Sequence, residues 1–221
     1  MAGSRQATVP ASRAPKRLTR KEKQAETRAR LLDAAEQVFL RSGLQGSSVE
    51  EIAAEAGFTR GAFYSNFKSK EELFVELLQD RVYRQYAAIA VEAQAQPGSP
   101  RERLRWGIER LKAPYEKEDG RWLFRLWLEC LTLATRDEEF RRLAVTFWSG
   151  NRELLAEQTK EIFKEVGRQP PLPPKQIATA MIALDIGLAV QHVVDPEEVS
   201  LDIYVPLFDL LIGRLAEPET D

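Results

Sequence analysis

The stretch EEIAAEAGFTRGAFYSNFKSKEELF, residues 50–74, decides the fold. Two short helical patterns meet at a polar turn, and the second begins at once after Thr59, a competent N-cap. Gly57 gives the backbone the freedom that a tight turn needs. Two short helices joined by a three- or four-residue turn containing glycine are typical of the helix-turn-helix, whose second helix enters the major groove of DNA. The alternative is an ordinary helical corner with a solvated surface.

The second helix of this stretch has an inner and an outer face. Helical spacing directs Phe63 and Phe67 inward, which leaves a polar set on the opposite side. An arginine near a helix N-terminus can bind guanine O6 and N7, and a glycine lets the backbone approach DNA closely. Flanking hydroxyl, amide and ammonium groups can donate to phosphate oxygens. These criteria predict DNA contacts for Arg60, Gly61, Tyr64, Ser65, Asn66, Lys68 and Lys70.

Working outward, helical patterns occupy the rest of the chain. A first helix is predicted from Glu22 to a stop at Gly43, and Ser47 or Ser48 can cap the second. A fourth helix runs from Lys70 to about Gln94. Beyond the break at residues 97–100, helices are predicted at 101–117, 120–134, 138–166, 175–193 and 201–216, with Pro206 forcing a late start or a kink in the last one. The prediction is an all-α protein of about nine helices.

Residues 48–73 resemble the N-terminal DNA-binding domain of the TetR (tetracycline-repressor) family. The matching features are the Ile52-Ala53 and Ala56-Gly57 pairs, Thr59-x-Gly61, Tyr64-x-x-Phe67 and Lys70-x-x-Leu73. Arg28-x-x-Leu31-Leu32, with Phe39 and Gly43, is similar to the first helix of that family. The resemblance covers about residues 25–75, and farther on it supports the architecture only.

The resemblance implies a homodimeric transcriptional regulator, usually a repressor, that leaves its operator DNA when a small molecule binds the larger domain. Carried over by position, Thr59, Arg60, Gly61 and Tyr64 are expected at the DNA interface. Tyr64 and Lys70 are expected on phosphates, and Ser48 on the backbone at the start of the second helix. Ser48 departs from the threonine of many relatives but keeps the hydroxyl.

Charge is distributed unevenly between the front and the rest of the chain. Residues 1–70 carry a net charge of +6 and the remaining residues −8, so we expect only the front of the chain to meet a polyanion. Residues 1–21 are rich in Ser, Ala, Pro and Arg and are predicted to form a disordered basic arm. The arm either reaches DNA or has no defined contact. The predicted domains are therefore the arm, 22–68 for DNA binding, and 69–221 for effector binding and dimerisation.

The larger domain has an aromatic segment at 122–134, WLFRLWLECLTLA, with polar residues embedded in it. Aromatic walls with a few convergent polar groups are typical of a small-molecule pocket, although such stripes are also ordinary core. The predicted effector is hydrophobic or aromatic, and Glu129 is the first polar residue expected to face it. The candidate ligand-binding residues are Trp106, Trp122, Arg125, Glu129, Phe147, Trp148 and Asn151.

The two last predicted helices carry more apolar surface than one side of a protomer core needs. We expect them to pair with a second copy in a four-helix interface, the place where the resemblance also puts the dimer. The residues expected there are Ala180, Leu184, Gly187, Leu188, Gln191, His192, Phe208, Leu211 and Leu215.

Other classes of protein fit the sequence poorly. Cys130 and His192, the single cysteine and histidine, lie 62 positions apart in apolar helices, which does not suggest a nucleophilic enzyme. No metal-ligand cluster, phosphate loop or dinucleotide fingerprint indicates a cofactor, so none is expected. A DNA-binding protein without an effector remains open. No signal peptide or membrane-spanning run is recognised, and a cytoplasmic location with no membrane partner is expected.

Overall fold

A computed structural model describes residues 19–116, 121–165, 167–208 and 210. Within these residues the chain is all-α, as predicted, and contains no strand. The N-terminal unit consists of α1 (Arg20–Ser42), α2 (Val49–Glu55) and α3 (Arg60–Tyr64). The larger unit follows, with α4 (Lys70–Gln94), α5 (Pro100–Leu111), α6 (Ala113–Glu116), α7 (Arg121–Ala134), α8 (Glu138–Glu165), α9 (Pro174–Val194), a 3-10 turn (Leu201–Ile203) and α10 (Tyr204–Phe208).

Local capping explains where the N-terminal helices begin. Thr19 and Glu22 form a capping box, so α1 starts at Arg20, two residues before the predicted start. The predicted arm, residues 1–21, lies outside the described residues up to position 18. Ser48 caps α2 together with Glu51, which resolves the two alternatives left by the sequence. Gly57 has a φ of 71°, a left-handed conformation that confirms its predicted role in the turn.

Two predicted helices are each divided in two. The pattern over 101–117 forms α5 and α6, because Pro114 has no N–H to continue the helical hydrogen-bond ladder. The pattern over 201–216 begins as a 3-10 turn and becomes α-helical at Tyr204, which places Pro206 in the first turn of α10. This is the late start that Pro206 predicts. Residues 211–216 lie outside the described residues.

One hydrophobic core runs through both units. Phe39 of α1 packs edge-on against Phe74 of α4, with ring centroids 5.3 Å apart. Phe74 in turn contacts Phe140 of α8, with centroids 6.2 Å apart. All three rings are buried. Arg81 of α4 adds polar links to α1 through Asp33 at 2.7 Å and Glu36 at 2.6 Å. Helix α4 therefore joins the N-terminal unit to the larger unit through both apolar and ionic contacts.

Helix α9 is unusual in composition. It is long and apolar enough to cross a membrane by those two criteria, with a mean hydropathy of 1.8, contrary to the expectation that no segment reaches this level. Only 33% of that window is buried, although α9 packs along α8 and against α10. A helix of this kind is weak evidence of a span, because a helix that packs in a protein interior meets the same criteria. The exposed apolar residues of α9 therefore need an explanation other than a membrane span.

Candidate nucleic-acid interface and ligand pocket

Helix α3 is short and capped at its start. The Thr59 hydroxyl accepts a hydrogen bond from the Ala62 N–H at 3.3 Å, which confirms the cap. Phe63 is fully buried beneath the helix, whereas Tyr64 is 47% exposed. Thr59, Arg60, Gly61, Ser65 and Lys68 are exposed as well. The structure thus brings most of the predicted DNA-contacting residues to one open surface.

Arg60 contacts two neighbouring residues of the N-terminal unit. Its guanidinium forms an ion pair with Glu50 of α2 at 2.8 Å. The same group lies over the ring of Tyr64, 5.4 Å from the centroid. Arg60 and Glu50 are both exposed, so their ion pair contributes little to stability. The guanidinium can therefore leave Glu50 for another acceptor.

Gly61 has no structural reason of its own to be glycine. A Cβ at this position would meet only the Thr59 hydroxyl oxygen, at 3.8 Å, an ordinary van der Waals contact. Its φ is not positive, so the backbone does not demand glycine either. The protein leaves the space above Gly61 open.

Three predicted contact residues use their polar atoms inside the protein. Lys70 Nζ donates to the carbonyl oxygens of Leu44 and Ser47, both at 2.6 Å. Asn66 Nδ2 donates to Ala62 O at 2.8 Å, which turns the amide onto α3 itself. The Ser48 hydroxyl is engaged in its capping box with Glu51. Two of the three ammonium donors of Lys70 are used in this way, so its contact with a phosphate stays a prediction for the remaining donor.

Two arginines of α1, Arg28 and Arg30, for which the sequence predicted no particular contact, hold the N-terminal unit together. Arg28 lies over the Phe67 ring at 4.2 Å and bonds Asn66 O and Glu76. Arg30 lies over the Phe58 ring at 4.6 Å and donates to Ala56 O at 2.8 Å. These contacts fix the turn and the end of α3 against α1. The aromatic residues Phe58 and Phe67 were the feature of the sequence that could have indicated these arginine contacts.

Glu129 connects α7 to the loop after α1 and lines neither of the two cavities described below. Its carboxylate accepts from the Leu44 N–H at 3.1 Å and from the Gln45 N–H at 3.3 Å. These N–H groups follow the end of α1 at Gly43 and need acceptors, which explains why the carboxylate is drawn there rather than to a ligand. The expectation that Glu129 faces the effector is therefore replaced by an observed contact between the two units.

A small cavity, here called the inner pocket, lies among α4, α6, α7, α8 and α9. Its volume is about 60 Å³. It is lined by Val82, Gln85, Tyr86, Pro114, Tyr115, Leu123, Phe124, Trp127, Phe147, Trp148, Asn151, Ile182, Asp185 and Ile186. Of the seven predicted ligand residues, Phe147, Trp148 and Asn151 are among these.

The other four predicted ligand residues lie elsewhere. Besides Glu129, Arg125 projects from the exposed side of α7. Trp122 packs at the edge of the main core, and Trp106 stacks beneath Arg110 at 4.8 Å. A helix that is apolar on nearly all sides gives no indication of which side meets a cavity, so the sequence could not show which of these residues line one.

Asp185 is the polar centre of the inner pocket, and sequence reasoning missed it. It lies on α9 and is 8% exposed. Tyr115 Oη donates to it at 3.1 Å and Tyr204 Oη at 3.0 Å. Tyr86 is the third phenol that interacts with this carboxylate. A single acidic residue inside an otherwise apolar helix was the signal that could have found it.

Burial controls the protonation of this cluster. Desolvation raises the pKa of Asp185 to about 6, against an opposing effect of the three phenol hydrogen bonds. Burial and the nearby carboxylate raise the pKa values of Tyr86 and Tyr115 well above the ordinary value. At neutral pH the site therefore holds three neutral phenols around a largely ionised carboxylate.

A larger cavity, here called the outer groove, opens between α4, α5 and α8. Its volume is about 540 Å³, and most of its lining is aliphatic. Ile89, Leu104, Ile108, Leu111, Leu155 and Met181 are among the lining residues, with Glu157 and Glu161 at the polar side. Tyr86 lines both cavities, so this ring stands between them.

The residues expected at a dimer interface divide into three groups. Ala180 and Gln191 are exposed, and Leu184, Gly187 and His192 are half-buried. Leu188 and Phe208 are buried inside the protomer, where they pack with Tyr204 and Ile108 in a second core cluster. These two residues support α9 and α10 from within, which corrects the expectation for them. Leu211 and Leu215 lie outside the described residues.

Cys130 and His192 occupy unrelated environments. Cys130 is buried, and desolvation raises its pKa to about 12, which keeps the thiol protonated. The Nδ1 of His192 lies 2.8 Å from Val199 O, at the end of α9. Among the described residues, no group of three His, Cys, Asp or Glu side chains has the arrangement of a metal site.

Comparison with known proteins agrees with this architecture. The family described as "Bacterial regulatory proteins, tetR family" matches residues 31–77, and the family described as "BetI-type transcriptional repressor, C-terminal" matches residues 100–215. The transcriptional repressor BepR of Brucella suis is 50% identical over 54 residues, which are 24% of this chain and 26% of that protein. The chain thus matches about a quarter of the length of that curated relative.

Solved structures extend the similarity over most of the chain. A TetR-family regulator from Rhodococcus sp. superimposes with a TM-score of 0.70 at 20% identity, covering 85% of this chain and 99% of that one. A regulator from Saccharomonospora viridis, solved with choline, has a TM-score of 0.60 at 23% identity, covering 86% and 96%. At this identity the two structures establish the fold. Together with the family matches over both units, they show that the chain belongs to the TetR family of transcriptional regulators.

Proposed function

We propose that this chain is a ligand-responsive repressor that binds operator DNA as a homodimer and is released when a small hydrophobic or aromatic molecule enters the larger unit. The DNA-contacting surface in this proposal is the exposed side of α3 with its flanks. The effector site is the inner pocket together with the outer groove.

The observation that carries the proposal is the double role of α4. Its C-terminal half contributes Val82, Gln85 and Tyr86 to the inner pocket. Its first residue, Lys70, holds the loop between α1 and α2 through two carbonyl oxygens. A ligand that shifts α4 at the pocket therefore acts on the contacts that position the DNA-binding unit.

The outward side chains support sequence-specific DNA binding. Arg60 lies at the start of α3, the position from which a guanidinium reaches base edges when the helix enters a major groove. Its present partner, Glu50, is exposed and can be exchanged for a base. Tyr64, Ser65 and Lys68 surround it with donors for phosphate oxygens. Gly61 leaves room for the DNA backbone to approach α3.

Exposed apolar residues on α9 support dimerisation. Ala180 is exposed, Leu184 and Gly187 are half-buried, and Val194 is 80% exposed. A Cβ on Gly187 would meet no atom of the described residues within 4 Å. A symmetric partner packed on this side would cover it, which also accounts for the hydropathy of α9.

The dimer has a direct test. Gly187→Arg should leave the protomer folded, because no atom of the described residues lies within 4 Å of an added Cβ, and should shift the protein from dimer to monomer in analytical ultracentrifugation. Thr146→Arg, on the exposed side of α8, is the matched control. A Gly187→Arg variant that remains dimeric would place the interface elsewhere.

The functional test has two steps. Selection from a random DNA pool should yield a palindromic site with half-sites about one helical turn, or roughly 34–36 Å, apart. Addition of hydrophobic compounds that raise the melting temperature should then release the protein from that site, because ligand binding and DNA binding oppose each other reciprocally. Selection that enriches no sequence would overturn the proposal.

The small volume of the inner pocket favours one second candidate. A cavity of about 60 Å³ admits only a small group unless side chains move. A DNA-binding regulator with no small-molecule effector, controlled by a protein partner or acting architecturally, is consistent with this small volume. A compound library that never changes the melting temperature would favour this candidate.

A further inference from the structure

The inner pocket contains a buried carboxylate, Asp185, that has no cationic partner among the described residues. Asp185 is 8% exposed, and no ion pair among the described residues involves it. Its hydrogen-bond partners there are phenols, Tyr115 at 3.1 Å and Tyr204 at 3.0 Å. Phenols are neutral at this site, so they reduce the cost of burying the charge but do not neutralise it.

The walls around Asp185 are aromatic. Phe124 and Trp127 stack with ring centroids 5.7 Å apart, and Trp148 meets Trp127 edge-on at 5.6 Å. Tyr115 packs edge-on against Phe124 at 5.3 Å. The faces of such rings attract cations, and the attraction is strongest for indole and where water is excluded. A carboxylate and several rings that converge on one cavity therefore select for positive charge.

The volumes and linings of the two cavities indicate the size and polarity of the ligand they can hold. The inner pocket, about 60 Å³, has room for a compact headgroup. The outer groove, about 540 Å³ and mainly aliphatic, has room for an apolar chain or ring system. Tyr86 lines both, so a ligand that displaces this side chain can occupy the two cavities together.

We propose that the effector is an amphiphilic organic ammonium ion, whose charged head binds Asp185 and the surrounding aromatic rings while its apolar part fills the outer groove. This inference rests on the proposed function and defines the chemical class of its effector. The ammonium group donates to the Asp185 carboxylate, which thereby gains a counterion that none of the described residues provides. Tyr86 moves to connect the cavities.

Three probes of equal length separate charge from hydrophobicity: phenylbutylamine, phenylbutanol and phenylbutyrate. Calorimetric titration should give an affinity for the protonated amine at least about tenfold higher than for the alcohol, with the carboxylate weakest. Asp185→Asn should remove the preference for the amine and leave the alcohol affinity nearly unchanged. Equal affinities for amine and alcohol in the unmodified protein would overturn the inference.

A matched control removes the same charge from the outer groove. Glu157 lines the groove but is exposed and paired with Lys160 at 2.6 Å, so Glu157→Gln should change the preference for the amine by less than about threefold. If Glu157→Gln abolishes the preference and Asp185→Asn does not, the headgroup binds elsewhere and the inference fails.

A second variant keeps the test informative if Asp185→Asn does not fold. Tyr115→Phe removes one hydrogen bond from the carboxylate while keeping the ring, so the preference for the amine should increase. A decreased preference would count against the inference. Release of the protein from operator DNA is measured separately. If the amine binds at Asp185 but does not release the DNA, the proposed function is contradicted. If the alcohol releases the DNA and the amine does not, only the ammonium class of the effector is contradicted.

Discussion

Lys70 and Glu129 hold opposite sides of the same residue. Lys70 Nζ donates to the carbonyl oxygen of Leu44 at 2.6 Å, and the Glu129 carboxylate accepts the Leu44 N–H at 3.1 Å. Leu44 is fully buried and lies in the loop that connects α1 to α2. The first residue of α4 and the middle of α7 therefore position the DNA-binding unit through one residue of its loop.

Glu129→Gln should weaken this connection. The amide keeps one acceptor but loses the charge, so we expect the free energy of unfolding in urea to fall by about 1–2 kcal/mol. Operator affinity should be retained, whereas release by effector should require more ligand. Glu138→Gln is the control, because Glu138 is exposed and pairs only with Arg141 among its described contacts, at 3.1 Å. Unchanged stability in both variants would exclude a structural role for Glu129.

Gly61→Ala should separate stability from DNA binding. The added methyl group meets no obstacle within the protein, and alanine favours a helix over glycine by up to about 1 kcal/mol. We therefore expect unchanged or slightly increased stability with an operator affinity at least about tenfold lower, because the methyl group enters the space required by DNA. Gly150→Ala on α8 is the control: it should leave stability unchanged or slightly increased, as Gly61→Ala does, without lowering the operator affinity. An operator affinity equal to that of the unmodified protein would remove Gly61 from the interface.

Arg60→Ala and Lys68→Ala should behave differently on a panel of operator variants. Loss of the guanidinium should relax the preference at one base position and cost about 1–3 kcal/mol on the best site. Loss of the exposed ammonium group should weaken all sequences alike and reduce the slope of affinity against salt by about one unit. Fluorescence anisotropy at several salt concentrations distinguishes the two. Identical behaviour would show that the assigned roles are wrong.

Asp185 should make stability depend on pH. Its pKa is raised from 3.8 to about 6 in the folded protein, so the folded state holds this proton more tightly than the unfolded state. The contribution of Asp185 to the free energy of unfolding is therefore highest below about pH 4 and decreases as pH rises to about 6. A pKa shift of this size corresponds to a decrease in the free energy of unfolding on the order of 3 kcal/mol once the pH is above about 6.

Asp185→Asn isolates this effect. The stability difference between the variant and the unmodified protein should change in favour of the variant as pH rises from about 4 to about 7, measured by urea unfolding. Any loss from the altered hydrogen bonds to the phenols is independent of pH. Asp202→Asn should show the opposite sign, since Lys112 and Ser200 lower the pKa of Asp202. A pH-independent difference for Asp185→Asn would contradict the buried, ionised carboxylate.

Features determined over a few residues could be predicted from the sequence. The caps at Ser48 and Thr59 and the turn at Gly57 depend on groups within four positions, and all three are confirmed. The inward position of Phe63 and Phe67 follows from helical spacing in the same way. These local rules were sufficient to define the DNA-binding unit.

Contacts across long sequence separations could not be predicted. Glu129 meets Leu44 across 85 positions, and Tyr115 meets Asp185 across 70. Helices α7 and α9 are apolar on several sides, so periodicity does not identify the neighbour of each side. A polar residue in such a helix indicates that a partner exists but not which one. Asp185 carried this information and was overlooked, whereas Glu129 was assigned to the wrong partner.

Helix α4 also determines the scale of motion that the protein can use. Tyr86 and Lys70 lie on one continuous helix of 25 residues, and their separation along its axis is about 24 Å. A tilt of about 5° at the Tyr86 end would displace the Lys70 end by roughly 2 Å, a shift typical of helices in switching proteins. Two symmetry-related protomers would double the change in spacing. A movement at one tyrosine is thus converted, by the length of the helix alone, into a change of roughly 4 Å in the spacing of the two DNA-binding units.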